Sequence, residues 1–213
     1  MFQVPFSDAA GIRTDRKIIV IDPGHGGTSP GSTTPSGTRE KDINLTFSRM
    51  VAQILEKDFT VVLTRTDDIS MSQDERTAIA NLNRADLFIS LHAKPVTANN
   101  TGVSIYFYQP SQDQHKLPPD AWNSAQVPYI SRSRVAAETI CRTLSPQSRI
   151  EECTMGAPVA VLSGAVMPAL LIEPFSMAGL TEAVEKSDDL MHNTALDLAG
   201  GIEAFFAQEK GAN

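Results

Sequence analysis

Two histidines and two glutamates in this chain stand at positions where side chains do chemistry. His25 sits in Asp22-Pro23-Gly24-His25-Gly26-Gly27, directly after the β-branched run Ile19-Val20-Ile21. Glu40 follows a long Gly/Ser/Thr/Pro-rich stretch, His92 ends the apolar run Leu87–Leu91, and Glu173 ends Ala169-Leu170-Leu171-Ile172. Two histidines and one carboxylate are the ligand set of zinc hydrolases that keep a fourth position open for water. Zinc held this way is only partly neutralised by its glutamate, so it lowers the pKa of a bound water to about 7 and polarises a carbonyl. Glu173 is the candidate proton carrier, able to take the water's proton and pass it to a leaving amine.

Each residue taken alone has a plainer explanation. A histidine among glycines is commonly a turn residue. The glycine-rich loop also suits a phosphate cradle, although it matches neither G-x-G-x-x-G nor G-x-x-x-x-G-K-[ST]. Glu40 suits the first turn of a helix, where the macrodipole favours an acid. His92 suits a hydrogen-bonded core position, and Glu173 suits a solvated strand end. What sets the four apart is an order along the chain that an α/β fold would bring together.

That order is alternating. Lys17–Ile21 reads as a strand and residues 22–40 as a long loop, of a length that is usually functional inside a compact domain. Asp42–Lys57 reads as a helix, with Ile43, Phe47, Val51, Ile54 and Leu55 on one face. Thr60–Thr64 is a strand. Ser72-Gln73-Asp74-Glu75 is a capping box that opens a helix ending near Asn83. Leu87–Leu91 and Val103–Tyr108 are strands, Ser131–Leu144 is a helix, Val159–Leu162 and Ala169–Glu173 are short strands, and a final helix covers Asp188–Ala207. Interleaved strands and helices predict an α/β fold with a mostly parallel sheet. The gap between Leu87–Leu91 and Val103–Tyr108 leaves no room for a crossover helix, so the sheet should be mixed. If the strands before His25 and His92 run parallel, both histidines emerge at one sheet edge, the edge where α/β folds bind ligands.

The chain of 213 residues fits one domain, residues 17–208, with an N-terminal extension (1–16) and a short tail (209–213). Hydrophobic residues make up 41% and charged residues 20%, ordinary for a globular protein with a large core. Net charge is −7 with scattered basic residues, which argues against nucleic acid and anionic lipid as partners. No apolar run approaches the roughly 18 residues of a membrane span. Met1–Asp8 lacks the basic and apolar regions of a signal peptide, so a cytoplasmic chain, or one separated from its export signal, is expected. Cys141 and Cys153 form no C-x-x-C pattern, and two structural thiols are expected; a disulfide would require an oxidising compartment. There is no internal repeat and no second domain. A monomer is expected, with any targeting supplied by a regulatory partner or by residues outside the chain.

Five blocks in order carry a resemblance: Ile-Asp-Pro-Gly-His-Gly-Gly, Glu-Lys-Asp-Ile-Asn-Leu, Leu-Thr-Arg-Thr-Asp-Asp, Ala-Asp-Leu-Phe-Ile-Ser-Leu-His-Ala and Pro-Ala-Leu-Leu-Ile-Glu. From about Lys17 to Ala207 the chain resembles the zinc-dependent N-acetylmuramoyl-L-alanine amidases of the type-3 class. The resemblance implies Zn2+ as cofactor, held by His25, Glu40 and His92, with Glu173 as the catalytic glutamate. It implies a twisted six-stranded sheet flanked by helices on both faces. It implies peptidoglycan or muropeptides as substrate, cut between the lactyl group of N-acetylmuramic acid and L-alanine, and a place in the cell envelope.

Two departures lie beside the implied site. The family commonly reads Ser-x-His-Ala-Asn, where this chain has Lys94 in place of the asparagine. After the glutamate the family tends to Gly-Phe-x-Ser-Asn, where this chain has Pro174-Phe175-Ser176-Met177-Ala178-Gly179. The stretch 109–130, with its prolines and Trp122, falls where some relatives carry a blocking helix, and its prolines argue against one long helix. His115, Asp113 and Asp120 are the side chains from it that would have to act as a fourth ligand in a closed state; a solvated loop or flap is the expectation. Two other functional classes fit the same scaffold: a zinc peptidase or deacetylase, and a non-catalytic wall-binding or regulatory domain. The intact four-residue set argues against the second.

Overall fold

β-Branched and apolar pentads, too short for helices and bounded by turn residues, make the strands of a six-stranded sheet. The computed structural model describes residues 16–97, 102–111, 125–180 and 184–211. Its strands are β1 (Ile18–Pro23), β2 (Thr60–Leu63), β3 (Leu87–Leu91), β4 (Ser104–Tyr108), β5 (Thr154–Ala157) and β6 (Ala169–Glu173). Its helices are α1 (Glu40–Leu55), α2 (Gln73–Leu82), α3 (Ile130–Leu144), α4 (Ile150–Cys153), α5 (Ala160–Ser163) and α6 (Val184–Gly211). His115, Asp113, Asp120 and Trp122 lie outside the described residues, as do 1–15 and the last two residues of the tail. No described helix is long and apolar enough to cross a membrane.

The strand order is β2-β1-β3-β6-β4-β5. β2, β1, β3 and β6 are mutually parallel, whereas β4 runs antiparallel to β6 and parallel to β5. The mixed sheet expected from the short β3–β4 gap is present, and the connection passes across the end of β6 to reach its far side. The carboxyl ends of β1, β3 and β6 therefore share one sheet edge with the start of β4.

Because successive side chains point to opposite faces of a strand, each strand feeds two cores. Ile19 and Ile21, Leu87, Ile89 and Leu91, Ile105 and Phe107, Leu170 and Ile172 face α1, α3 and α6, where Phe47, Val51, Leu55, Ile140, Ile202 and Phe205 are all fully buried. Val20, Phe88, Tyr108 and Ala169 face the other way, against Ala80 of α2 and Val161 and Leu162 of α5. Each fully buried Leu, Ile or Phe contributes about 1.5–3 kcal/mol, so this double-sided burial is the main stabilising term.

The structure corrects two expectations. Val159–Leu162 is not a strand; a turn after Pro158 leads into α5, and Val161 and Leu162 bury against the second core. A four-residue apolar run has no period that separates strand from helix. The true edge strand, β5, has only Thr154 as a β-branched residue and is half exposed, and its pairing with β4 rather than its composition creates it. Cys141 and Cys153 are joined by a disulfide, not left as two thiols. Cys141 from α3 and Cys153 at the end of α4 meet in the first core with Cα atoms 6.1 Å apart, a juxtaposition that only packing produces. Closing a loop of this length restricts the unfolded chain by about 3 kcal/mol. A Cys141→Ala/Cys153→Ala variant should lose about that much stability, roughly 10 °C in melting temperature by circular dichroism.

Candidate metal centre

The centre is assembled by the loop between β1 and α1, residues 24–39, and by the two strands beside β1. Glu40 is the first residue of α1. Arg39 offers no side-chain cap to α1; instead, Ser32 and Pro30 carbonyls accept the free amides of Glu40 and Lys41, at 2.8 and 3.1 Å. Helix termini need such partners, and here they fold the loop back over the helix end. In return the Ser32 amide donates to Glu40 Oε2 at 2.9 Å. Asn44, one turn along, donates to Glu40 Oε1 and to the Gly24 carbonyl, so i,i+4 spacing aims the carboxylate at the β1 end.

His25 has φ +61°, a left-handed conformation that costs a non-glycine residue about 1–2 kcal/mol. The surroundings hold it there. Arg76 Nη2 donates to its carbonyl at 2.8 Å, and Gly26 and Ser29 close a tight turn with two mutual backbone bonds of 3.0 Å. His25 Nδ1 lies 3.0 Å from Ser29 Oγ; a proton donated there leaves the Nε2 lone pair facing the centre. His92 follows β3 and packs on Gly24.

His25 Nε2 is 3.2 Å and His92 Nδ1 3.0 Å from Glu40 Oε1, and one donor atom from each of the three residues lies within 4.8 Å of the others. Ligands about 2.0–2.1 Å from a tetrahedral ion stand about 3.3 Å apart. The donor set therefore fits zinc in both chemistry and spacing, with Glu40 all but buried and both rings partly exposed. Burial raises the Glu40 carboxyl, but hydrogen bonds from His25, His92 and the Ser32 amide outweigh it and hold the group well below the usual carboxylate range. It is an ionised ligand at any working pH.

Two glycines are required by close approach. A Cβ on Gly24 would lie 2.3 Å from His92 Nε2, and one on Gly31, whose φ is +67°, would lie 2.6 Å from Glu40 Oε2 and 2.7 Å from His25 Cδ2. Gly24→Ala should displace the His92 ring and weaken zinc binding at least about 10-fold, the scale seen when ligand orientation is disturbed. Competition with a fluorescent chelator, with the far-ultraviolet spectrum as folding control, checks this.

Glu173 leaves the sheet next to His92, because Leu91 pairs with Ile172 in the β3–β6 ladder. Burial raises its carboxyl above the usual range; Lys94, His92 and a hydrogen bond from the Tyr106 phenol oppose that, and Glu40 adds to it. Of the residues after it, Phe175 is a core residue stacked edge-on against Phe47, and Ser176 pairs with Lys94 in a parallel bridge. The raised pKa makes ionised Glu173 a cost to folding. That cost is absent below the unfolded carboxyl's pKa and grows as pH rises through the raised folded value. In metal-free protein Glu173→Gln should thus raise the melting temperature at neutral pH, with the gain vanishing in acid; calorimetry across pH checks the sign.

The four residues read from the sequence are brought to one edge. The supports were not read: buried Asp22, Arg65 and Arg76 around the loop, and buried Lys94 and Tyr106 around Glu173. Arg65 stands in one of the sequence blocks singled out above, Leu-Thr-Arg-Thr, and that was its one visible signal. Arg76 had none, since an arginine in a helix is ordinarily solvated. Beside the centre a cavity of about 330 Å³ opens under α2 and α5, with His25, His92 and Gln73 on one side and Val159, Val161 and Leu171 on the other.

A family model described as N-acetylmuramoyl-L-alanine amidase matches residues 19–204. The chain is 26% identical over 232 residues to the N-acetylmuramoyl-L-alanine amidase AmiC of Escherichia coli, covering 91% of this chain and 54% of that protein. It is 30% identical over 199 residues to the sporulation-specific N-acetylmuramoyl-L-alanine amidase of Bacillus subtilis, covering 90% of this chain and 69% of that one. The chain thus spans about half the length of the AmiC relatives it matches. Among solved structures, the N-acetylmuramoyl-L-alanine amidase from Clostridium difficile 630 superposes with a TM-score of 0.73 at 25% identity, covering 91% of this chain and 98% of that one.

Proposed function

The chain belongs to the type-3 N-acetylmuramoyl-L-alanine amidase family, and from that premise we propose that it hydrolyses the amide between N-acetylmuramic acid and the L-alanine of the peptidoglycan stem peptide. The observation that carries this is the convergence of His25, Glu40 and His92 within 4.8 Å, with Glu173 on the neighbouring strand. Zinc held by these three residues supplies Lewis-acid polarisation of the scissile carbonyl and an open position at which a water's pKa falls towards 7.

The protein's own groups do the rest. Glu173 accepts the proton of the attacking water as its oxygen bonds to the carbonyl carbon. It then delivers that proton to the alanine nitrogen as the C–N bond breaks, leaving a lactyl carboxylate and a free peptide amine. A pKa above the ordinary carboxyl range suits a group that must both take and give a proton near neutral pH. The Tyr106 phenol donates to Glu173 and fixes its orientation. The mostly apolar wall of Val159, Val161 and Leu171 limits water beside the reacting carbonyl. Substrate of this kind lies in the cell envelope, where the Cys141–Cys153 disulfide persists. Targeting to the wall falls to a partner or to residues outside this chain, since a net charge of −7 gives no attraction to an anionic polymer.

Incubation with muropeptides should release peptides with a new L-alanine amino terminus, seen by mass spectrometry. Cleavage within the peptide, or loss of acetate, would point to a peptidase or deacetylase instead. Chelation should abolish release and added Zn2+ restore it. His25→Ala should lose stoichiometric zinc, whereas Glu173→Gln should keep zinc and lose activity by about 10²–10⁴-fold. A Glu173→Gln enzyme of near wild-type rate would remove the proton-carrying role.

A further inference from the structure

Lys94 is an ammonium in an unusual place. Its residue is only 4% exposed, and burying a charge is costly unless opposite charge and hydrogen bonds compensate. The backbone shows where it lies. The chain after β3 continues beside the chain after β6: His92 N donates to Ile172 O, Lys94 N to Phe175 O, and Met177 N to Lys94 O, at 3.0, 3.0 and 2.9 Å. On the opposite side of β6, Ser104 at the start of β4 pairs with Glu173. Lys94 Nζ donates to the carbonyl of Gly102, two residues before Ser104. The lysine starts on the β3 side of β6 and ends on the β4 side, so its side chain crosses the end of β6 at Glu173.

One neutral carbonyl does not compensate a buried ammonium, which has three N–H groups to satisfy. The charged group that faces it among the described residues is Glu173, and the two act on each other electrostatically. Glu173 in turn faces His92, Glu40 and Tyr106 as well as Lys94. Of these, Lys94 alone brings a fixed positive charge that is not also offered as a metal ligand.

We infer that Lys94 is a positioning residue for Glu173: lying across the end of β6 and anchored to Gly102, its ammonium fixes the carboxylate in the orientation from which it moves the proton. The inference rests on the amidase reading above. It separates charge from the staple: if Lys94 served only to tie the β3–β4 connection through Gly102, any donor of similar length would do.

The test uses the zinc-loaded enzyme on muropeptides. Lys94→Gln keeps a donor for Gly102 and removes the charge; Lys94→Arg keeps the charge. Lys94→Gln should fold, retain zinc and lose at least about 10-fold in kcat with KM within 2-fold, the scale of a misplaced catalytic group. Lys94→Arg should recover most of that loss. In a Glu173→Gln background, Lys94→Gln should cause no further loss, since effects transmitted through one residue are not additive. Equal losses in both backgrounds, an unchanged kcat, an effect on KM alone, or a Lys94→Gln chain that does not fold would each overturn the inference. A wild-type enzyme that releases no alanine-terminated peptide would bring down the amidase reading itself, whereas an active wild type with an unaltered Lys94→Gln variant removes only the role of Lys94.

Discussion

Everything at the centre hangs on one buried ion pair at the end of β1. Asp22 is fully buried. Thr64 and Ser90, from beside the flanking strands, donate to its two oxygens at 2.5 and 2.7 Å, and Arg76 Nη1 pairs with it at 2.6 Å. With that charge satisfied, the rest of the Arg76 guanidinium is free to hold the carbonyls of Pro23 and His25. Arg65 completes the clamp, donating to the carbonyls of Pro23, Gly24 and Lys41. Burial and the like charge of Arg76 lower its pKa, and the carboxylates of Asp22, Asp68 and Asp42 offset part of this. Removing one member of such a buried pair typically costs about 3–5 kcal/mol, because the other is left charged and unpaired. The pair is thus less a source of stability than a constraint that no other backbone path satisfies.

That constraint explains how a strained loop persists. A left-handed histidine and a run of glycines would relax in isolation. Here the carbonyls before and at His25 are fixed by two guanidinium groups, and the loop beyond is clasped by Lys41 and Asp68. Lys41 donates to both Asp68 and the Gly27 carbonyl at 2.7 Å, and the Gly27 amide donates back to Asp68. The imidazole of His25 is delivered to Glu40 without depending on its own rotamer preference. Preorganised ligands need little reordering when a metal arrives, and second contacts of this kind commonly set metal affinity.

The sheet edge divides the labour. β1 and β3 deliver the histidines and α1 the carboxylate, while β6, one strand further on, delivers Glu173 into a more apolar and more crowded setting. The two carboxylates accordingly take opposite characters, Glu40 held ionised by hydrogen bonds and Glu173 raised by burial. Different environments, not different side chains, assign one to hold a cation and the other to move a proton.

Strands β1, β3 and β6 were legible in the sequence because each is an apolar run with sharp ends. Helix α1 was legible because Phe47, Val51 and Leu55 repeat at helical spacing. The four chemical residues were legible because each stands where such an element stops. β5 and α5 were exchanged in that reading: a four-residue apolar run carries no period, and an edge strand is made by its neighbour. The Cys141–Cys153 disulfide, the Asp22–Arg76 pair and the passage of Lys94 across β6 were invisible, because each joins residues whose separation in sequence says nothing of their distance in space. The chain by itself thus determined which groups would do the chemistry and on which kind of element they would sit. Only the tertiary structure decided which buried charges face one another, since pairing inside a low-dielectric core is set by packing across strands and not by order along the chain.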